Sequence, residues 1–287
     1  MLTQTITHPI TFAPTTLGNR PSPDIVGIWK LGKRAHASEQ SRLFLAQPAD
    51  STGNPRHDYM LRTTTDDRSH RNESLAQLSR FTSAAAAVSH PNLIVVLDSS
   101  LESTTPFLVM PRLTGATLKA VMQMSRPQAL PVILWTVRQA AQALDALHAG
   151  GWIHGDIKPA NLFVSGQGHM TVLDLGFARP IGSASDGSFR GTPKYAATEH
   201  SAQTPAPAAA AADIFSLGNV LLELLAWSSP TIRERSRIEP IADLIAEMIA
   251  TDPTERPTAT EITQRLLRLE IETLGEHIQP QSLRKAA

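Results

Sequence analysis

The order of apolar and polar residues predicts mostly β-strands in the first third of the chain. Two apolar runs between residues 25 and 47 flank a polar turn, which predicts a β-hairpin. Three further short apolar runs predict strands at 59–62, 92–98 and 106–110. Residues 1–24 are rich in Thr and Pro and show no such period, so we expect an arm or a loose tail there.

One amphipathic helix is predicted among these strands. Its apolar face is formed by residues spaced three and four apart: Leu75, Leu78, Phe81, Ala85 and Val88. The strands and this helix together predict a small, mostly β lobe at residues 25–110.

Helical patterns dominate the remainder of the chain. An apolar stripe over 133–147 predicts a long helix that ends at the glycine pair 150–151. Residues 214–226 are apolar on nearly all sides, which predicts a buried helix, and 241–250 predicts another. The segment 258–261, Thr-x-x-Glu, has the capping-box pattern that begins a last helix.

These elements predict an α+β chain. We expect the mostly β lobe to be followed by a larger, mostly α lobe at 111–287, and both to form a single domain over 25–275. The chain has 287 residues, which is enough for two lobes with a substantial core.

Composition narrows the functional classes. Lys and Arg number 26 and Asp and Glu number 26, so no overall field attracts nucleic acid or an anionic membrane. The absence of cysteine excludes disulfides and Cys-ligated metals. The N-terminus lacks a signal-peptide pattern, and the apolar stretch 220–227 is shorter than the roughly 20 residues that span a bilayer. We therefore expect a cytoplasmic protein without a membrane span.

Candidate chemistry is concentrated in residues 152–179. This stretch places Asp156, Lys158, Asn161 and Asp174 on two short loops joined by a predicted hairpin. Phosphoryl transfer requires a carboxylate that receives a hydroxyl proton, oxygen ligands for Mg²⁺ and a cation near the phosphate. These four residues supply all three parts.

The same stretch resembles a known family. The sequence HGDIKPAN at 154–161 resembles the catalytic loop H-R-D-x-K-x-x-N of eukaryotic-type protein kinases of the bacterial Ser/Thr group, and the Asp-Leu-Gly at 174–176 resembles their D-F-G loop. Three further matches follow in the family's order: GTPKYAATE at 191–199, DIFSLG at 213–218 and DPTERP at 252–257. The resemblance implies a bilobal kinase fold, ATP and Mg²⁺ as cofactors, and a protein substrate or regulatory partner protein.

The resemblance also implies individual roles. Asp156 would accept the substrate hydroxyl proton, and Lys158 would steady the transferring phosphate. Asn161 and Asp174 would hold Mg²⁺. Thr192 would contact the catalytic loop, which favours Ser or Thr over Tyr as the acceptor.

Other positions are assigned to the nucleotide base by the same resemblance. Met110 would be the gatekeeper, backbone groups near Pro111 and Leu113 would meet adenine, and Phe163 would lie beneath the base. Ordinary core packing explains Phe163 equally well.

Structural roles are implied for residues around the loop. Asp213 would accept hydrogen bonds from the catalytic-loop backbone, and Glu199 would pair with Arg256. Gly155 replaces the arginine that normally couples this loop to a phosphorylated activation segment, so we do not expect switching by phosphorylation there. Three serines of that segment are then interpreted as ordinary loop residues: Ser183, Ser185 and Ser188.

The first lobe departs from the family pattern. The glycine-rich phosphate loop would fall on 33–41, which contains no glycine. Arg62 replaces the phosphate-binding lysine, and the glutamate that pairs with this lysine falls on Phe81, which is better interpreted as a core residue. Arg62, Lys33 or Arg34 would then have to supply the missing cation.

Three functional hypotheses follow. The first is an atypical Ser/Thr kinase that uses Mg²⁺ and the intact second-lobe residues. The second is a pseudokinase, a binding or scaffold module with weak or no nucleotide binding. The third is a small-molecule phosphotransferase, because His-Gly-Asp also resembles aminoglycoside and choline kinases, although these lack the segment GTPKYAATE. The sequence leaves the oligomeric state open.

Overall fold

The computed structural model describes residues 25–51, 53, 56–184, 190–201, 206–232 and 234–278. The predicted arm at 1–24, together with Ser185 and Ser188, lies outside them. The described chain forms two compact units. The first comprises the residues up to Ser89, Ile94–Ala116 and Asp174–Gly176, and the second comprises His90–Leu93, Thr117–Leu173 and the residues from Phe177 onward. The predicted lobe boundary at 110 differs from this division, because the first unit continues to Ala116 and also includes Asp174–Gly176.

The first unit is built on a six-stranded antiparallel sheet in the order β1-β2-β3-β4-β6-β5. Its strands are β1 (Ile25–Val26), β2 (Trp29–Ala37), β3 (Ser41–Pro48), β4 (Tyr59–Thr64), β5 (Asp98–Ser100) and β6 (Phe107–Pro111). The predicted hairpin and the predicted strands at 59–62 and 106–110 are confirmed.

The strand predicted at 92–98 is wrong, because only its last residue belongs to a strand, β5. The reason lies in Asn92, whose buried side-chain amide donates to the backbone oxygen of Met170 at 2.6 Å and to Oε1 of Gln139 at 3.1 Å. Because of these bonds, the start of the segment belongs to the second unit, where Leu93 forms an isolated β-bridge with Val172.

Helix α1 (Arg71–Ala87) packs within the first unit and confirms the predicted helix. Leu78 and Phe81 are buried as expected, but Leu75 is 38% exposed. The buried face is completed by two polar residues instead, Ser74 and Gln77. Ser74 is satisfied there because its hydroxyl accepts a hydrogen bond from the backbone N–H of Thr65 at 3.2 Å.

The second unit is mainly helical. Its helices are α2 (Leu118–Met124), α3 (Leu130–Ala149), α4 (Thr198–Ser201), α5 (Ala210–Trp227), α6 (Ile238–Met248) and α7 (Ala259–Ile278). The short strand β7 (Gly115–Thr117) lies where the chain passes from one unit to the other. Two small antiparallel pairs follow: β8 (Trp152–Ile153) with β11 (Arg179–Pro180), and β9 (Leu162–Ser165) with β10 (Met170–Val172). The predicted α+β class, with one helix in a β-rich first lobe and a helical second lobe, is confirmed.

Local sequence signals account for two of the helix ends. Helix α3 ends as predicted, because Gly150 donates to the Ala146 oxygen at 3.0 Å and Gly151 adopts a φ of 80° that favours glycine. Helix α7 begins with the predicted capping box. The N–H of Thr258 donates to Oε2 of Glu261 at 2.7 Å, and the N–H of Glu261 donates to Oγ1 of Thr258 at 3.3 Å.

Helix α5 is longer than the apolar stretch seen in the sequence. Its 18 residues have a mean hydropathy of 1.4, so α5 is long and apolar enough to cross a membrane by length and composition. The core helix of a globular protein passes the same test, and half of α5 is buried within the protein. Its first turn contains the buried carboxylate of Asp213, which is hydrogen-bonded inside the second unit.

Candidate active site

The predicted base, Asp156, lies in the loop between β8 and β9, and its side chain is only 3% exposed. Its Oδ1 accepts a hydrogen bond from the hydroxyl of Thr192 at 2.8 Å, and its Oδ2 accepts one from the amide of Asn161 at 3.0 Å. Lys158 places its ammonium 2.7 Å from Oδ2 and donates to the Thr192 hydroxyl at 2.7 Å. The carboxylate is therefore fixed at both oxygens. The predicted contact between Thr192 and the catalytic loop is confirmed.

Asp213 holds the backbone of this loop. It accepts hydrogen bonds from the N–H groups of His154 at 2.7 Å and Gly155 at 2.9 Å, and its Oδ2 lies 2.9 Å from Nε2 of His148. Burial raises the pKa of Asp213, but the hydrogen bond and charge of His148, with further help from His154 and the Gly155 amide, outweigh it and lower the pKa below its ordinary value. The predicted role of Asp213 is confirmed.

Gly155 occupies a backbone conformation that favours glycine. Its φ is 78°, in the left-handed region. A Cβ built on this residue would lie 2.7 Å from the backbone oxygen of Phe177. Local geometry therefore requires a glycine at position 155. This glycine also lacks the charge of the arginine that the family has there.

The predicted ion pair between Glu199 and Arg256 is also confirmed. The guanidinium donates to both carboxylate oxygens, at 2.7 and 3.0 Å, and the Arg256 side chain is fully buried. Arg256 also donates to the backbone oxygen of Ala211 at the start of α5. This pair joins the segment after the catalytic loop to the core helix of the second unit.

Asp174 belongs to the first unit, where a cation binds it. Nη1 of Arg62, from the central strand β4, donates to Oδ1 of Asp174 at 2.6 Å. The same oxygen accepts the N–H of Gly176 at 3.1 Å. Asp174 has a φ of 57°, which is uncommon for a residue other than glycine. Of the three cations considered from the sequence, Arg62 makes this contact, whereas Lys33 and Arg34 lie exposed on β2.

The polar partner of Arg62 on α1 is Gln77. Its Oε1 accepts a hydrogen bond from Nη2 of Arg62 at 3.2 Å, and its Nε2 donates to Oε1 of Gln40 at 2.6 Å. Phe81, where counting along the sequence placed this partner, is buried, and its ring centroid lies 5.8 Å from the Arg62 guanidinium carbon. Gln77 lies four residues before Phe81 and therefore on the same face of α1. This spacing is the sequence signal that could have identified Gln77 as the partner of Arg62.

The turn between β2 and β3 closes without glycine. The N–H of Ser38 donates to the oxygen of Ser41 at 2.9 Å, and the Ser38 hydroxyl accepts from the N–H groups of Gln40 and Ser41 at 3.3 and 3.1 Å. A serine side chain thus organises this turn, and Gln40 within the turn contacts Gln77.

The residues assigned to the nucleotide base are half-buried within their own units. Met110 lies on β6 opposite Met60, and Leu113 follows the end of that strand in the first unit. Phe163 lies on β9 opposite Thr171 in the second unit. The partial exposure of Phe163 distinguishes it from the fully buried residues of the core.

The residue types implied for Mg²⁺ fit that ion chemically. Asn161 directs its amide nitrogen to the backbone oxygen and Oδ2 of Asp156, so the amide oxygen is its acceptor for a metal. Amide and carboxylate oxygens are ligands that Mg²⁺ accepts. The described residues contain no cluster of three or more His, Asp or Glu that could hold a metal. Within the first unit, Arg62 already engages Asp174.

Comparison with known proteins identifies the class. The family model described as a protein kinase domain matches residues 59–267, which is well over half of the chain. The chain therefore belongs to the protein kinase family. The match begins at β4, after the hairpin that lacks the family's glycines.

Several relatives that the chain resembles are bacterial Ser/Thr kinases by name. The chain is 33% identical over 156 residues to the serine/threonine-protein kinase PknB of Mycobacterium leprae, covering 52% of this chain and 25% of the relative. It is 28% identical over 216 residues to PknB of Mycolicibacterium smegmatis, covering 64% and 34%. It is 29% identical over 160 residues to a probable PknB of Lactococcus lactis, covering 55% and 25%. The match thus spans only a quarter to a third of these relatives' length.

Proposed function

We propose that the chain is an atypical Ser/Thr protein kinase that transfers the γ-phosphate of ATP to a protein hydroxyl with Mg²⁺. The observation that carries this proposal is the hydrogen-bonded group of Asp156, Lys158 and Thr192 in the second unit. It supplies an oriented carboxylate, a nearby cation and the threonine expected of a Ser/Thr kinase. The family match and the names of the bacterial relatives support the same activity.

Each residue of this group has a specific role in the proposed reaction. Asp156 is held at both oxygens, so it presents a fixed carboxylate to the hydroxyl whose proton it accepts. The Lys158 ammonium lies beside it and stabilises negative charge on the transferring phosphate. Mg²⁺, assigned by resemblance to Asn161 and Asp174, neutralises phosphate charge when it is bound.

The remaining assignments belong to the same proposal. Met110, Leu113 and Phe163 contact the adenine base, and Arg62 supplies the cation for the α- and β-phosphates. The partner is a protein substrate or a regulatory protein, and the site of action is the cytoplasm. These assignments follow from the family resemblance. Among the residues assigned to the nucleotide, only Arg62 differs in type from the residue that the family has at its position.

A pseudokinase is the second candidate, and three observations favour it. Asp174, the proposed metal ligand, is bound by Arg62 at 2.6 Å within the first unit. The partner of Arg62 on α1 is the neutral Gln77 rather than a glutamate, and the phosphate-covering turn lacks glycine. Under this alternative the chain retains the fold and acts as a binding or scaffold module.

Thermal unfolding with ATP and Mg²⁺, followed by labelled-phosphate transfer, separates the two candidates. A ligand at a hundred times its Kd stabilises the folded state by about 2.7 kcal/mol. Asp174→Asn is the test variant, and Asp243→Asn, which removes an exposed carboxylate from α6, is the matched control.

Transfer by the wild type and by Asp243→Asn, with loss in Asp174→Asn, supports the kinase. Stabilisation by ATP without transfer supports the pseudokinase. Transfer that survives Asp174→Asn contradicts the assignment of the metal ligand.

A further inference from the structure

Four side chains of the first unit form a continuous series of hydrogen bonds. Gln40, in the turn between β2 and β3, contacts Gln77 on α1 at 2.6 Å. Gln77 contacts Arg62 at 3.2 Å, and Arg62 contacts Asp174 at 2.6 Å. Gln77 is 2% exposed and the Arg62 side chain is 11% exposed, so most of this series is shielded from water.

The distribution of charge along the series determines where the guanidinium binds. Arg62 carries a positive charge and Asp174 a negative one, whereas both glutamines are neutral. A guanidinium is attracted more strongly to the full negative charge of a carboxylate than to the dipole of a neutral amide. The contact with Asp174 is accordingly the shorter of the two, and the amide of Gln77 does not compete for the charge.

The surrounding backbone is shaped to this ion pair. A Cβ built on Gly176 would lie 3.1 Å from Oδ1 of Asp174, closer than an ordinary contact, so the glycine leaves room for this carboxylate. Nε of Arg62 is buried and has no hydrogen-bond partner among the described residues. The guanidinium is therefore oriented by its two Nη groups alone, and a change of partner at residue 77 would reorient it.

We propose that Gln77 is a positioning residue that keeps Arg62 on Asp174, so that the guanidinium competes with a divalent cation for this carboxylate. The inference rests on the proposed function only in taking Asp174 as the metal ligand. It follows that the residue at position 77 sets the metal affinity. A carboxylate there would give Arg62 a second anionic partner and draw it away from Asp174.

Gln77→Glu tests this proposal because it should raise the affinity for a divalent cation rather than lower it. The substitution is isosteric, and the amide of Gln40 can rotate so that its nitrogen donates to the new carboxylate. Gln40→Glu is the matched control, because it adds the same charge to the same series at a residue that contacts Gln77 rather than Arg62. A general electrostatic attraction for the metal would act in both variants.

The measurement is binding of Mg²⁺ alone by isothermal titration calorimetry, with Mn²⁺ and its electron paramagnetic resonance signal as a second probe. We expect Gln77→Glu to bind the metal about tenfold more tightly than the wild type, because Coulomb attraction to the new carboxylate draws the guanidinium from Asp174, and a tenfold change in affinity corresponds to about 1.4 kcal/mol. Gln40→Glu should stay within about twofold of the wild type on the same reasoning. Far-UV circular dichroism without metal establishes that each variant is folded.

Equal metal affinity in Gln77→Glu and the wild type overturns the proposal, as does an equal gain in Gln40→Glu. If Gln77→Glu does not fold, Arg62→Met replaces it. That variant removes the competing cation and should also bind Mg²⁺ more tightly than the wild type, and metal binding no tighter than in the wild type overturns the proposal.

A separate ATP titration of the wild type distinguishes this inference from the proposed function. Absent ATP binding contradicts the nucleotide-dependent function, but a gain of metal affinity in Gln77→Glu still supports the role of Gln77.

Discussion

Replacing Gly155 by alanine should destabilise the second unit far more than a typical Gly→Ala change. Two effects act together at this residue. A φ of 78° costs a residue with a side chain about 1–2 kcal/mol. The added Cβ would also lie 2.7 Å from the Phe177 oxygen, and the backbone shift that relieves such an overlap costs about 1–3 kcal/mol. We therefore expect a total loss of about 2–5 kcal/mol in the free energy of unfolding.

Two other glycines separate these effects. Gly151 has a φ of 80° but no atom within 4 Å of a built Cβ, so Gly151→Ala should cost only the backbone term of about 1–2 kcal/mol. Gly166 has neither a positive φ nor a close neighbour, and Gly166→Ala should be neutral or slightly stabilising.

Urea unfolding of the three variants beside the wild type provides the free energies. The order of loss should be Gly155→Ala, then Gly151→Ala, then Gly166→Ala. A Gly155→Ala variant no less stable than Gly151→Ala would refute the close approach to Phe177. The same result would leave only the φ of 78° as a geometric reason for glycine in place of the family's arginine.

Three further predictions concern the second unit. Thr192→Ala should lower kcat, because it removes the hydrogen bond to Asp156. Thr192→Ser keeps a hydroxyl and should retain most of the wild-type kcat, and steady-state kinetics measures both values. Arg256→Met should lower the free energy of unfolding in urea by about 3–5 kcal/mol, because it leaves Glu199 without its buried partner. The lowered pKa of Asp213 means that its ionised form contributes stability above the ordinary carboxyl pKa of about 3.9, and this stability is lost as pH falls through the folded-state pKa. In Asp213→Asn, the free energy of unfolding should therefore fall less steeply as the pH is lowered.

Each of these predictions has a contradicting outcome. Equal kcat in Thr192→Ala and the wild type would show that the hydroxyl does not orient Asp156. A loss below 1 kcal/mol in Arg256→Met would mean that the ion pair with Glu199 is replaced by water at little cost. An equally steep fall in Asp213→Asn would assign the pH dependence to other carboxyl groups.

The sequence predicted the elements whose determinants are local. Helix α3 ends at a glycine, and helix α7 begins at a Thr-x-x-Glu box, because both signals satisfy backbone groups within a few residues. The strand predicted at 92–98 failed because its apolar pattern is compatible with several environments. What decides its structure is the side chain of Asn92, bound to Gln139 and Met170 far along the chain.

In the candidate site too, the residues set by local sequence could be predicted and the contacts between distant residues could not. Asp156 and Lys158 stand in one short motif and Thr192 in another, so all three could be named from spacing and resemblance. Gln77 was missed because the count along α1 started from a distant motif, and one helical turn of error moved the expected partner to Phe81. The contact between Arg62 and Asp174 depends on two residues 112 positions apart, which no local pattern encodes.

The central claim is that Asp156 receives the proton of a Ser or Thr hydroxyl during phosphoryl transfer. The most direct test compares the wild type with Asp156→Asn in transfer of labelled γ-phosphate from ATP to a protein substrate, with phosphoamino-acid analysis of the product. The account predicts label on Ser or Thr in the wild type and a rate at least about a hundredfold lower in the variant. Equal incorporation by both proteins, or label confined to Tyr, would contradict it.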